Sequence, residues 1–269
     1  MRVFALALSG LVAVSSPAAA DPIVNINSRN QSIRAVLLPH QGTAKGSVIL
    51  LAGGNGRLDI TAAGQITKLT GNQLVRTRAK YKAKGYDTLV PDLAPDMKVG
   101  ADDVLAGYRV SLNYARDIGA MVKYLRANGA EPVVVIGTSR GSGGAANAVA
   151  KLTKARRPDA VIYTSAFLKL DCSDIINLWC LTNNQPQLLK LPTLVMWHVD
   201  DGCVYTPPSA VPPFRTWWQQ GTQLTLARKA FNGGDPPLSE PCEAKSPHGF
   251  WGLDQKVVDV ASEWIEGLE

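Results

Sequence analysis

Histidine is scarce in this chain. There are three among 269 residues, His40, His198 and His248, so any chemistry that needs an imidazole base must use one of them. Cysteine is limited to four, and no CxxC or Cys/His pair has zinc-ligand spacing, which argues against a metal site. No Walker-type Gly-Lys-Ser/Thr and no GxGxxG occurs, so a phosphate- or dinucleotide-binding loop has no motif to rest on. Beyond the first twenty residues no apolar run is long enough for a membrane helix, which leaves no stable membrane anchor. No repeat, low-complexity tract or Pro/Ser-rich linker divides the chain. The formal charge is a modest +6 with basic residues scattered. The one cluster, KLTKARR from Lys151 to Arg157, falls where a helix ends. Cations facing the negative end of a helix dipole explain it better than a nucleic-acid patch does.

The first twenty residues, MRVFALALSGLVAVSSPAAA, have a basic start, an apolar run and an Ala-x-Ala end. That pattern predicts a secretory signal peptide over residues 1–20 and one domain over 21–269, working outside the cytosol in a secreted or periplasmic setting. An even number of cysteines in an exported chain favours two disulfides.

In the remainder, short apolar runs alternate with longer helical patterns. Strands are predicted at Ile33–Leu38, Ser47–Ala52, Tyr86–Val90, Val133–Gly137, Ala160–Thr164, Thr193–His198 and Gln223–Arg228. Helices are predicted at Asn72–Lys84, Gly107–Ala127, Ser142–Ala155 and Gln255–Glu266, with Gly85 and Gly129 as stops. Continuous apolar strands suit parallel pairing with both faces covered. The expected class is α/β, a mostly parallel sheet with helices on both faces and ligands bound beyond the carboxyl ends of the strands.

The most informative stretch is VVVIGTSRGSGG at residues 133–144. GTSRG fits the Gly-x-Ser-x-Gly elbow, with a strand before it and a helix after it. The turn that lifts Ser139 above a sheet leaves no room for side chains at 137 and 141, and Gly143 and Gly144 are expected to let the helix pack close to the sheet. A plain small-residue turn is the competing explanation.

A serine hydroxyl needs a base within hydrogen-bond reach and a third group to orient that base. In elbow enzymes the chain order is serine, acid, histidine. His248, in KSPHGFWG, satisfies that order. His198 ends a predicted strand and is assigned a structural or site-lining role, and His40 comes too early. MWHVDDGC places Asp200 and Asp201 directly after a strand; Asp201 is the preferred acid, with Asp200 as a turn residue. Backbone donors for an oxyanion are expected from Arg140, next after the serine, and from Gly54 or Asn55 in the loop GGNG.

LLAGGNG, GTSRGSGG, HVDDGC and the Cys242/SPHG segment together resemble a group of small exported bacterial α/β-hydrolases of poorly defined substrate. The resemblance covers essentially all of the chain after residue 20. It implies an α/β-hydrolase fold, a Ser139–Asp201–His248 triad and no cofactor; the expected partner is a small-molecule acyl substrate. One departure stands out: many relatives carry His-Gly before the oxyanion loop, where this chain has Ala52-Gly53-Gly54.

Cys203 lies two residues after Asp201, and Cys242 six before His248. A Cys203–Cys242 bridge would staple the acid loop to the base loop, leaving Cys172–Cys180 to close a small loop elsewhere. Only about thirty residues separate the strand at Ala160–Thr164 from Thr193, so little or no lid domain is expected. Trp179, Trp197, Trp217, Trp218, Phe250 and Trp251 are weighed as walls of the site, with packing as the favoured role. The expected activity is hydrolysis of an ester or similar acyl bond. A peptidase or amidase with the same residues, or a non-catalytic binding module on the same scaffold, is the alternative.

Overall fold

The computed structural model describes residues 21–98, 107–172 and 178–268. The stretch read as a signal peptide lies outside the described residues.

Eight strands form one sheet in the order β1-β2-β4-β3-β5-β6-β7-β8. They are β1 (Ile23–Ser28), β2 (Gln31–Leu38), β3 (Gly46–Leu51), β4 (Tyr86–Pro91), β5 (Val133–Thr138), β6 (Ala160–Thr164), β7 (Thr193–His198) and β8 (Leu226–Phe231). At one edge β2 pairs antiparallel with both β1 and β4, and every other neighbouring pair is parallel. In the middle, Val48 pairs with Val134 and Ile136 with Ile162. β3, β5 and β6 are buried along their whole length. Their unbroken apolar sequences follow from that, because side chains alternate between two covered faces.

The helices divide between those faces. Val133 and Val135 of β5 join a core layer containing Ile118 and Val122 of α3 (Leu112–Asn128) and Trp218 of α5 (Val211–Gly221). Val134 and Ile136 point the other way, into a layer with Tyr81 of α2 (Arg78–Ala83) and Val257, Val258 and Ile265 of α6 (Asp254–Glu266). Each such aliphatic side chain contributes about 1.5–3 kcal/mol when fully buried. Ser111 caps α3 by accepting from the Tyr114 amide at 3.2 Å. Two further helices among the described residues are α1 (Gln73–Arg76) and α4 (Arg140–Lys151).

Several boundaries differ from the sequence expectation. The helix expected over Asn72–Lys84 is broken into α1 and α2 at Thr77, whose hydroxyl donates to the Gln73 carbonyl at 2.7 Å. The third helix starts at Leu112 rather than Gly107, and α4 begins at Arg140, directly after Ser139. The last strand lies at Leu226–Phe231, three residues later than expected. Strand β1 and helix α5 were not anticipated. IVNINS interleaves asparagines as an exposed edge allows, and the prolines of VPPFRTWWQQG sit in the first helical turn, where they do not break a helix.

Between β6 and β7 the described residues hold the Cys172–Cys180 disulfide and two 3-10 turns, Leu181–Asn183 and Pro186–Leu189, and no inserted helical domain. Residues 173–177 of this connection are not described. Among the described residues no helix is long and apolar enough to cross a membrane.

Candidate active site

Ser139 stands between the carboxyl end of β5 and the first turn of α4. Its backbone lies at φ 51° and ψ −127°, a region that costs a non-glycine residue about 1–3 kcal/mol. Surrounding contacts hold it there. Its amide donates to the Thr164 carbonyl at 3.0 Å, and its carbonyl accepts from the Ser142 hydroxyl at 2.6 Å. The glycines at 137 and 141 have a steric reason. A Cβ on Gly137 would sit 2.4 Å from the Gly141 carbonyl oxygen, and one on Gly141 would sit 2.3 Å from that of Leu51. The two later glycines act differently from the expectation of close helix–sheet packing. A Cβ on Gly143 would meet the Trp179 backbone at 2.5 Å, and one on Gly144 the Tyr114 ring at 2.6 Å. They make room for the β6–β7 connection and for α3.

His248 and Asp201 come together from separate loops. His248 Nδ1 is 3.0 Å from Asp201 Oδ2. The same oxygen accepts from the Thr206 hydroxyl at 3.0 Å, while Oδ1 accepts from the Cys203 amide at 2.9 Å. Thr206 Oγ1 is also 3.0 Å from His248 Nδ1, so the threonine braces both side chains. The His248 carbonyl accepts from Ser165 at 2.6 Å. The histidine is therefore fixed at its backbone and at Nδ1. Its Nε2 is buried with no hydrogen-bond partner.

Asp200 is placed otherwise. Its side chain is 73% exposed and lies 3.9 Å from His198, whereas that of Asp201 is fully buried. His198 is held by two bonds in one tautomer, Nε2 donating to the Gly233 carbonyl at 2.8 Å and Nδ1 accepting from the Asp200 amide at 3.0 Å. His40 sits beside Asp87 and Lys82, away from this cluster.

Ser139 and His248 line one cavity of about 330 Å³, together with Gly53, Leu69, Asn72 and Gln73 among others. None of the six aromatic residues weighed as walls lines it. Trp218 is in the core, and Trp179 stacks under the Arg140 guanidinium at 4.3 Å. A larger, shallow groove of about 870 Å³ runs along β1 and α3 and includes Arg29, Arg116 and Lys123, but none of the candidate residues.

The GGNG loop follows β3. A Cβ on Gly53 would touch Asn72 Nδ2 at 3.1 Å and Ser139 Cβ at 3.2 Å, so this loop runs directly beside the serine. Its orientation is set by Arg109, a fully buried residue that sequence reasoning missed. The Arg109 guanidinium donates to the carbonyls of Ala52 at 2.7 Å, Gly54 at 3.1 Å and Gly53 at 3.3 Å. In a trans peptide the N–H points opposite to the preceding C=O. Drawing these three carbonyls to Arg109 thus turns the amides of Gly53, Gly54 and Asn55 away from it.

Arg76 was likewise not anticipated. It donates to the carbonyls of Gly71 at 2.6 Å, Ala244 at 3.0 Å and Gly249 at 2.7 Å, all of which belong to cavity-lining residues. It also pairs with Asp254 at 2.8 Å. Close to the site, Cys203 and Cys242 form a disulfide across 39 residues, and Cys242 is part of the cavity wall. No cluster of His, Cys, Asp or Glu able to hold a metal occurs among the described residues.

No protein-family model matches the chain, and no curated protein matches it in sequence. Solved structures do match it in shape. A dienelactone hydrolase from Anabaena variabilis has 16% identity and a TM-score of 0.59, over 91% of this chain and 95% of its own. An esterase from Pyrococcus furiosus has 14% identity and a TM-score of 0.60, over 95% and 96%. A puromycin-hydrolysing peptidase from Mycobacterium tuberculosis has 12% identity and a TM-score of 0.63, over 96% of this chain but 42% of its own. The strand order, the turn at Ser139 and these superpositions lead to one conclusion about architecture: the chain has the α/β-hydrolase fold.

Proposed function

We propose that this protein is a serine hydrolase that cleaves an ester or similar acyl bond. The observation that carries the reading is the shared cavity of Ser139 and His248, in which Nε2 has no protein partner while Nδ1 is held by Asp201. A histidine bonded through Nδ1–H presents a lone pair at Nε2, which is what a general base needs. The similarity in fold to an esterase and a dienelactone hydrolase supports the same reading.

Ser139 Oγ attacks the carbonyl carbon as its proton passes to His248 Nε2. The carbonyl oxygen becomes an oxyanion, held by the amide of Arg140 and by that of Gly54 or Asn55, both of which face away from Arg109. One such donor is worth about 3 kcal/mol in the transition state. The bond to the leaving oxygen breaks as Nε2 returns the proton to it. Water, deprotonated by Nε2, then attacks the acyl-serine, and the proton goes back to Oγ. The net change is ester plus water to acid plus alcohol. Asp201 fixes the imidazole and offsets its charge. The same residues would serve amide cleavage, and a peptidase is among the proteins of similar fold. We place the activity outside the cytosol, on the strength of the residue 1–20 pattern and the two disulfides.

A fluorophosphonate probe followed by peptide mapping tests the mechanism. Modification at Ser139, lost in Ser139→Ala together with hydrolysis while the fold is kept, is the expected result. An unlabelled protein would indicate a binding module, and a folded Ser139→Ala that still hydrolyses esters would exclude this mechanism. Chromogenic esters of increasing chain length, compared with aminoacyl amides, separate esterase from amidase.

A further inference from the structure

Among the described residues, ten buried side-chain nitrogen or oxygen atoms have no hydrogen-bond partner. Three of them belong to residues that wall the Ser139 cavity: Nε2 of His248, and both Oε1 and Nε2 of Gln73. The proposed mechanism uses the first and leaves the whole Gln73 carboxamide unexplained. Gln73 is 1% exposed. Its backbone is well anchored, the carbonyl accepting from the Thr77 amide at 3.1 Å and the Thr77 hydroxyl at 2.7 Å. Only the side chain is idle. Because both of its polar atoms lack partners, exchanging oxygen and nitrogen by an amide flip does not remove the deficit. Buried carboxamides without partners are costly and rare, so one in the wall of a cavity calls for a ligand.

We infer that Gln73 is a substrate-binding residue that selects a neutral group able both to donate and to accept a hydrogen bond, a hydroxyl or a carboxamide, close to the scissile bond. This rests on the hydrolase reading and adds a substrate class to it. Such a group satisfies Oε1 and Nε2 together. An alkyl chain satisfies neither, and a carboxylate can only accept, leaving Oε1 facing an anion. A cavity of about 330 Å³ is at the small end of ligand pockets and limits the recognised portion to roughly ten heavy atoms.

Matched ester pairs test this. On the acyl side, p-nitrophenyl butyrate is compared with the 3-hydroxybutyrate, the N-acetylglycinate and the hemisuccinate. On the alcohol side, butyl acetate is compared with 3-hydroxybutyl acetate. The expected result is a kcat/KM about tenfold or more higher for the hydroxyl or acetamido member on one side of the bond, with no gain for the hemisuccinate. In Gln73→Met, which keeps the volume and removes both polar atoms, that ratio falls toward one. The melting temperature holds or rises, because an unsatisfied buried amide has been removed. A purely structural glutamine would lower the melting temperature and leave the ratio alone.

Preference for the alkyl or hemisuccinate ester, or a ratio unchanged in Gln73→Met, overturns the inference. The wild-type ratios decide the matter even if the variant does not fold. Fluorophosphonate labelling separates the two levels. Labelling at Ser139 without the preference removes only the assignment of Gln73, whereas no labelling removes the hydrolase reading and the inference with it.

Discussion

Nδ1 of His248 lies 3.0 Å from Oδ2 of Asp201, while the side chain of neighbouring Asp200 points to solvent. One residue of difference in the turn after β7 thus separates a buried, triply bonded carboxylate from an exposed one. Asp201→Asn is expected to cut kcat by a factor on the order of a thousand or more, because an asparagine amide favours the wrong imidazole tautomer. Asp200→Asn is expected to leave turnover within about twofold. Steady-state kinetics of the two variants decide between the neighbours; a severe loss in Asp200→Asn alone would reverse the assignment.

Arg109 holds three successive carbonyls of the loop beside Ser139. A lysine ammonium lacks the planar fork that spans them. Arg109→Lys is expected to lower kcat by about ten- to a hundredfold with a smaller change in KM, since the displaced amides matter most when the oxyanion forms. The split between kcat and KM is the readout. A folded Arg109→Lys with unaltered kcat would mean that the loop keeps its shape without the arginine.

The Cys203–Cys242 disulfide joins the loop bearing Asp201 to the one bearing His248. Its removal by double serine substitution is expected to cost about 4 kcal/mol of stability in the chain-entropy picture. It is also expected to reduce activity well below the melting temperature, because a displacement of about 1 Å at such a contact can cost on the order of a hundredfold. Serines at Cys172 and Cys180 are expected to affect stability with little effect on kcat. Thermal melts and assays of the two double variants give the comparison, and an undiminished rate in the Cys203/Cys242 variant would show that the bridge does not position the pair.

Local chemistry made much of the architecture readable. VVVIG and AVIYT could only be strands buried on both faces, and the glycines around Ser139 announced a turn too tight for side chains. Elements with compromised patterns were not readable. IVNINS is an edge strand with polar interruptions, and VPPFRTWWQQG carries residues that look like helix breakers until their place in the first turn is known. Asn72–Lys84 had a helical pattern, but a threonine that bonds back to Gln73 splits it. The supporting shell was beyond sequence reasoning for a different reason. Arg109 meets the GGNG loop from more than fifty residues away, and Thr206 meets His248 across 42. No periodicity marks either residue, because what fixes them is packing between distant loops.

The sheet's last strand, β8, ends at Phe231, and His248 follows it in the chain. All eight strands, with Ser139 and Asp201 on the turns that follow two of them, thus precede His248 in the chain. In the proposed chemistry a chain cut short after β8 keeps every strand of the sheet, the nucleophile and the acid, and lacks only the base. The site is complete only when the segment from Cys242 to His248 lies over Asp201.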